Sequence, residues 1–252
     1  MTTEQKGAGA GTVTPPQADS QFARKHPAGF LSAYAITGAF AVIMLIVLFL
    51  LIGHAVPTHD ALTRTDVAVN AWMESHATET GETIFTWVSY IGAPLLAASV
   101  VITLVVFGRR GDWFHVWAVA LVTGGGLLLS TILKFVFHRA RPLTAAEFMT
   151  HPSYSFPSGH AMNSMVTYGF LTLLLLNRVH ERGRRVGIVL AALVVIGAIG
   201  FSRVYLGVHF VTDVVGGWLA GAAWLIVGIG GYRFAQQRLA TTQFDAIRLA
   251  RR

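Results

Sequence analysis

The chain contains no cysteine and few charged residues, and both absences narrow what it can be. Without cysteine there is neither a disulfide framework nor a thiolate metal site. Charged residues make up 12% of the 252 residues, about half of the ~25% that an average soluble domain carries. Hydrophobic residues make up 54%, and the mean hydropathy is +0.57. The composition therefore favours an integral membrane protein.

Long apolar runs predict an all-α fold with six transmembrane helices, because a helix needs about 20 residues to cross a bilayer. The six spans are predicted at 31–53, 86–107, 114–136, 161–177, 186–202 and 211–232. Together they form a predicted membrane domain at 30–233. Before it lies a tail at 1–29 that is rich in Gly, Thr, Pro and Gln and is predicted to be disordered. After it lies a basic tail at 234–252.

The distribution of basic residues predicts the orientation. The two tails, the loops at 108–113 and 178–185, and Arg233 directly before the second tail hold 14 of the 19 Lys and Arg residues. Since basic loops stay in the cytoplasm, both termini are predicted to be cytoplasmic in a plasma or inner cell membrane. The segments 54–85, 137–160 and 203–210 then face outward. This bias also accounts for the net charge of +7, so nucleic acid is not a predicted partner.

Three short motifs carry polar side chains that membrane topology does not require. They lie at the end of the third span, at the start of the fourth, and between the fifth and the sixth, at 134–142, 157–160 and 202–213. In the predicted orientation all three reach the same outer face of the membrane. We therefore expect their side chains to meet in one site.

The cations of these motifs, Lys134, Arg141 and Arg203, predict an anion site, because unpaired charges at membrane depth are costly. Arg binds phosphate oxygens in a planar, bidentate way, and Lys acts as a point charge. Ser158 and the backbone N–H groups of 158–160 open a helix, where free donors and the helix dipole favour an anion. The set predicts a pocket for a tetrahedral oxyanion such as phosphate.

Two histidines in the same motifs predict phosphoryl-transfer chemistry. Asp213 follows His209 by four residues, which brings the two together on one face if the helix begins before His209. A carboxylate that accepts from one ring nitrogen leaves the other free as a nucleophile. His160 stands beside Ser158 and can protonate the leaving oxygen as a general acid. Positioning and charge stabilisation, the main needs of phosphoryl transfer, come from the cations.

The combination KxxxxxxRP, PSGH and SRxxxxxHxxxD, over residues 134–213, resembles the signature of the type 2 phosphatidic acid phosphatase (PAP2) family. Every signature position is occupied. The resemblance implies that His209 forms a phosphohistidine, that Asp213 orients it, and that His160 acts as general acid and then activates water. It implies phosphate binding by Lys134, Arg141, Arg203, Ser158 and the Gly159 amide. It also implies that neither a metal nor another cofactor takes part.

The predicted function is hydrolysis of a phosphate monoester or diphosphate on a membrane lipid. Phosphatidate, phosphatidylglycerophosphate and undecaprenyl diphosphate remain open as substrates. A soluble phosphate ester is an alternative, disfavoured because nothing in the outer loops looks like a sugar site. A non-catalytic phospholipid-binding or transport protein is disfavoured because anion binding alone needs no pair of histidines. Vanadate-dependent halide oxidation is disfavoured by the six spans. The sequence predicts no oligomeric state.

Three features outside the signature positions also lead to expectations. The 60–76 stretch is interpreted as a short interfacial helix that would cover the active face. His138, Arg139 and His151 are interpreted as loop surface rather than as lining of the entrance. Gly217 and Gly221, at GxxxG spacing, predict close packing between helices.

Overall fold

The computed structural model describes residues 28–55, 61–142 and 154–250. His151 and the predicted tail lie outside the described residues, except for residues 28 and 29, with which the first helix begins. All regular structure in the described ranges is helical, which confirms the all-α class. The helices, in chain order, are α1 (Ala28–Ala55), α2 (Ala61–His76), α3 (Glu79–Arg109), α4 (Trp113–Phe137), α5 (Gly159–Leu176), α6 (Arg182–Tyr205) and α7 (Val211–Ala250).

Five helices, α1, α3, α4, α6 and α7, are long and apolar enough to cross a membrane. The remaining predicted span, 161–177, is α5, an 18-residue helix with polar residues in its first half. It packs against α3, α4, α6 and α7. A helix covered by its neighbours can carry polar side chains that a lipid-facing helix cannot. The helix predicted at 60–76 is present as α2.

Several helices extend beyond their predicted spans. α3 begins at Glu79, where the Thr78 side chain caps it by accepting from the Gly81 N–H at 3.1 Å. The acidic residues of its first turn, Glu79 and Glu82, suit the helix dipole there. α7 continues past 232 to Ala250, so most of the basic 234–252 segment is helical. Apolar runs mark the membrane core, whereas helix formation continues into polar sequence.

The chain divides into two compact units within α1, at Thr37 and Gly38. Where it is described, the first unit is the beginning of α1. The second unit contains the rest of the chain and has its own core. One buried cluster joins α4, α5 and α7 through Val119, Phe170 and Tyr232. A second surrounds Phe156 and Met162, next to the start of α5.

Helices α5 and α7 approach each other most closely along two glycines, as predicted. A Cβ atom on Gly217 would lie 2.7 Å from the Ser158 carbonyl oxygen, and one on Gly221 would lie 2.8 Å from the Met162 carbonyl oxygen. Real Cβ atoms do not come so near a backbone oxygen, so only glycine fits at either position. The start of α5 is thereby held against the first turns of α7.

Candidate active site

The motif residues lie at one end of the helical bundle. Lys134 is in the last turn of α4, and Arg203 is in the last turn of α6. Ser158 is the N-cap of α5, and Asp213 lies in the first turn of α7. Two helix ends and two helix starts thus converge, and the connecting segments carry Arg141 and His209. The three motifs therefore meet as the predicted topology required.

The His209–Asp213 pair forms by a different route from the one its spacing suggests. α7 begins at Val211, two residues after His209, so the pair does not share a helix face. Instead, the Asp213 carboxylate reaches back. Its Oδ2 accepts from the Phe210 N–H at 3.0 Å and lies 3.3 Å from His209 Nδ1. This is half of a capping box, and it fixes the carboxylate beside the imidazole.

The second ring nitrogen of His209 faces a cation. Its Nε2 lies 3.2 Å from Arg141 Nη1, which also donates to the Val208 carbonyl at 2.9 Å. A guanidinium only donates, so Nε2 accepts and Nδ1 carries the proton toward Asp213. Burial lowers the pKa of His209 to about 4. Asp213 opposes this shift, whereas Arg141 and Arg203 add to it. His209 is therefore neutral at pH 7, with a lone pair directed at the cationic pocket.

The start of α5 contributes the hydroxyl of Ser158. Ser158 is fully buried, and within the described part of the chain its Oγ has no hydrogen-bond partner. Its N–H donates to the Asp213 carbonyl at 2.9 Å. Of the backbone N–H groups of 158–160, which were expected to face an anion, the first is therefore already hydrogen-bonded. The Lys134 ammonium lies beside Gly159, because a Cβ there would be 3.7 Å from Lys134 Nζ.

Arg203 is held by a residue that the motifs did not reveal. Its Nη1 donates to the hydroxyl of Ser89, a buried residue of α3. Its Nε is buried, and no partner for it occurs in the described ranges. His160 lies among these cations, since the charges of Arg203, Lys134 and Arg141 all act on it. The site therefore combines two histidines, three cations and the Ser158 hydroxyl.

The interpretation of Arg139 as loop surface is wrong. The residue is only 8% exposed. It donates through Nη1 to Asp213 Oδ1 at 2.6 Å and to Thr212 Oγ1 at 2.7 Å, and through Nη2 to Asp66 Oδ2 at 2.8 Å. Asp66 belongs to α2 and is 2% exposed. His138, in contrast, is exposed as expected and ends α4 in a left-handed conformation, with φ of 48°.

Apolar helices that can cross a bilayer, with a buried cluster of cations and histidines at their ends, define a multi-pass membrane protein. The sequence matches the family described as the PAP2 superfamily over residues 115–236, a range that includes all three motifs. It is 32% identical over 190 residues to phosphatidylglycerophosphatase B of Bacillus subtilis, covering 71% of this chain and 88% of that protein. The chain belongs to the PAP2 superfamily, as its motifs predicted.

Two further comparisons agree with this family. An undecaprenyl-diphosphatase of Sulfolobus acidocaldarius is 33% identical over 135 residues, covering 46% of this chain and 61% of that protein. The crystal structure of a transmembrane PAP2 type phosphatidylglycerolphosphate phosphatase from Bacillus subtilis superposes with a TM-score of 0.68 at 29% identity. That superposition covers 79% of this chain and 97% of the other. Both relatives are phosphatases by name.

Proposed function

We propose that this protein is an integral membrane lipid phosphatase that works through a phosphohistidine intermediate. One observation carries the proposal: His209 is buried, Asp213 lies at its Nδ1, and the Arg141 guanidinium lies 3.2 Å from its Nε2. A neutral imidazole nitrogen that faces a cation suits attack on a phosphate held by that cation. Membership of the PAP2 superfamily supports the same reading.

In the first step, Lys134, Arg141 and Arg203 bind the phosphate oxygens, together with the Ser158 hydroxyl and the Gly159 N–H. His209 Nε2 attacks phosphorus, and the bond from phosphorus to the lipid oxygen breaks. Cationic His160, whose protonated form the charge of the bound phosphate favours, gives its proton to that leaving oxygen, so the lipid departs as an alcohol or, from a diphosphate, as a monophosphate. The Nδ1 proton stays hydrogen-bonded to Asp213, which stabilises the charge that develops on the ring.

In the second step, water replaces the leaving lipid. His160, now neutral, takes a proton from this water as its oxygen attacks phosphorus. The bond between phosphorus and His209 Nε2 breaks, and inorganic phosphate is released. The pocket cations stabilise the negative charge of the phosphoryl group in both steps. Neither step draws on a metal ion.

The substrate is a lipid phosphate ester or diphosphate, and the names of the relatives support two of the predicted substrates. Phosphatidylglycerophosphate comes first, since the relative named for it is covered over 88% of its length. Undecaprenyl diphosphate comes second, with 61% of the relative covered. With both termini in the cytoplasm, the site faces outward and the lipid tail stays in the bilayer.

The test is phosphate release by the purified protein in detergent micelles with EDTA present. Phosphatidate, phosphatidylglycerophosphate, undecaprenyl diphosphate and a short soluble ester are compared side by side. We expect metal-independent release from at least one lipid, and a loss of at least about 1,000-fold in His209→Ala, which removes the nucleophile. His180→Ala, a change of an exposed histidine at the other end of the bundle, is the matched control and should keep full activity.

Two results would overturn the proposal. One is activity that His209→Ala retains, which would exclude a phosphohistidine on this residue. The other is folded wild-type protein that releases phosphate from none of the lipids. That second result, combined with saturable lipid binding, would favour the non-catalytic alternative.

A further inference from the structure

A buried chain of charges continues from Asp213 away from His209. Arg139 bridges two carboxylates: its Nη1 lies 2.6 Å from Asp213 Oδ1, and its Nη2 lies 2.8 Å from Asp66 Oδ2. The Asp213 side chain is 0% exposed, that of Asp66 is 2% exposed and that of Arg139 is 7% exposed. One oxygen of Asp213 faces Arg139, and the other faces His209. Arg139 thus contacts the carboxylate that orients the proposed nucleophile.

Asp66 also binds the helix turn that carries Asp213. Its Oδ1 accepts from the Thr212 N–H at 3.1 Å, and its Oδ2 accepts from the Thr212 hydroxyl. The first N–H groups of a helix have no partner within the helix, and a carboxylate there also suits the helix dipole. Here the capping carboxylate comes from α2, 146 residues earlier in the sequence. Asp66 therefore fixes the position of the residue next to Asp213.

A buried ion pair is a poor explanation of stability by itself, because apolar residues of similar size often serve at least as well. Arg139 and both of its carboxylates also lie close to a reacting group. Two carboxylates and one guanidinium leave a net charge of −1 beside His209. Arg141 and Arg203 also act on His209, as does the titratable His160. The charge that His209 experiences therefore depends on how Arg139 is shared between Asp66 and Asp213.

We propose that Arg139 and Asp66 are positioning residues that act through Asp213. They fix the direction of its carboxylate and set how much of its negative charge reaches His209. This rests on the proposed function, in which His209 is the nucleophile. Neither residue occupies a signature position: Arg139 is one of the variable positions between Lys134 and Arg141, and Asp66 lies outside 134–213 altogether.

The experiment compares Arg139→Gln and Asp66→Asn with the wild type, with the best lipid substrate in micelles across a range of pH. By analogy with residues that orient metal ligands from the outer shell, kcat should fall by about 10- to 100-fold in each variant. KM should stay within about threefold, because the phosphate-binding cations are untouched. Arg64→Gln, an exposed change on α2, is the matched control and should behave as the wild type.

The discriminating readout is the acidic limb of the pH profile of kcat/KM. A merely structural role would not shift this limb in opposite directions in the two variants. In Arg139→Gln the uncompensated charge of Asp213 favours protonated His209, so the limb should move to higher pH. In Asp66→Asn the guanidinium is left to Asp213 alone, so the limb should move to lower pH. The ionisation of the substrate is common to all variants and cancels in the comparison.

Opposite shifts would support the proposal, and limbs that coincide with the wild type in both variants would overturn it. If either variant fails to fold, Arg139→Lys and Asp66→Glu replace them. For these milder changes, a reduced kcat at unchanged KM supports the proposal and a wild-type kcat overturns it. Failure of the proposed function looks different, because the wild type would then be inactive or His209→Ala would remain active.

Discussion

His209 is held by three separate parts of the chain, and this explains how a neutral imidazole is kept ready among cations. Asp213, in the first turn of α7, lies at Nδ1, and Arg141, after α4, lies at Nε2. The His209 N–H donates to the Arg203 carbonyl of α6 at 3.1 Å. With its backbone and both ring nitrogens engaged and its side chain buried, the ring has little freedom to turn. The nucleophile is therefore pre-organised before substrate arrives.

Burial of neutral His209 makes the folded protein sensitive to acid. Its pKa in the fold is about 4, whereas an unfolded histidine has a pKa of about 6.5. Between these two pH values His209 is protonated in the unfolded chain and neutral in the folded chain. The free energy of unfolding therefore falls as pH falls through this window. The contribution of His209 is roughly 2 kcal/mol by pH 5, at about 1.4 kcal/mol per pKa unit.

Thermal unfolding in micelles at pH 7 and pH 5 measures this effect. The wild type should lose more stability between the two pH values than His209→Gln, which has no group to titrate. Equal losses in the two proteins would contradict the low pKa of His209.

Individual residues of the site could be predicted where they belong to a spaced motif, and only there. The eight predicted site residues follow from sequence because the spacing of their motifs and the positions of these motifs at helix ends are visible in it. Ser89 and Asp66 could not be found this way, since their partners lie 114 and 73 residues away and single Ser or Asp residues carry no signal. The prediction that Arg139 is loop surface was wrong because an arginine between two helices is ordinarily solvated. Only the fold shows its contacts with the carboxylates of Asp213 and Asp66.

At the scale of helices, the contact between α5 and α7 determines the geometry of the site. It joins the helix start that carries Ser158 to the helix that carries Asp213, and the hydrogen bond from the Ser158 N–H to the Asp213 carbonyl connects them directly at 2.9 Å. The glycine spacing predicted close packing against another helix, and the structure identifies that helix as α5. Helix ends were less predictable. The length of the apolar run predicted that the last span ends at 232, whereas α7 continues through polar residues to Ala250.

Alanine at Gly217 or Gly221 should separate these two helices. Either new methyl group would meet a backbone oxygen that belongs to α5 or to its N-cap, at 2.7 or 2.8 Å. Overpacking of this kind costs about 1–3 kcal/mol, so both variants should unfold at a lower temperature in micelles and lose activity.

Gly230→Ala is the matched control in the same helix, because among the described residues no atom beyond the adjoining helix backbone lies within 4 Å of a Cβ placed there. It should be neutral or slightly stabilising, since alanine favours helix over glycine by about 1 kcal/mol. If Gly217→Ala and Gly221→Ala were as stable as Gly230→Ala, the close packing of α5 on α7 would be contradicted.

At the scale of the whole molecule, the two ends of the bundle differ in composition. The end with the site includes α2 and the converging ends of four helices. The opposite end includes the basic loops around residues 110 and 180 and the polar part of α7. In the proposed orientation, which follows the positive-inside bias, the basic end lies in the cytoplasm.

Single-cysteine labelling tests this orientation without background, because the chain has no cysteine of its own. Glu74→Cys and Gln237→Cys place exposed thiols at the two ends. A membrane-impermeant maleimide should label Glu74→Cys in intact cells, and Gln237→Cys only after permeabilisation. The reverse pattern would place the active end in the cytoplasm. Unsubstituted protein should remain unlabelled throughout.

The concentration of cations in the site bears on how the reaction ends. Asp213, whose negative charge acts on Lys134 and Arg141, is already bound by Arg139. An oxyanion in the pocket therefore relieves the mutual repulsion of Lys134, Arg141 and Arg203, whether it belongs to the lipid or is the free phosphate left after hydrolysis. On the proposed function, product escape opposes the same attraction that captures substrate. Turnover would then slow as free phosphate accumulates outside the cell. The rate of lipid dephosphorylation would therefore fall as the external phosphate concentration rises.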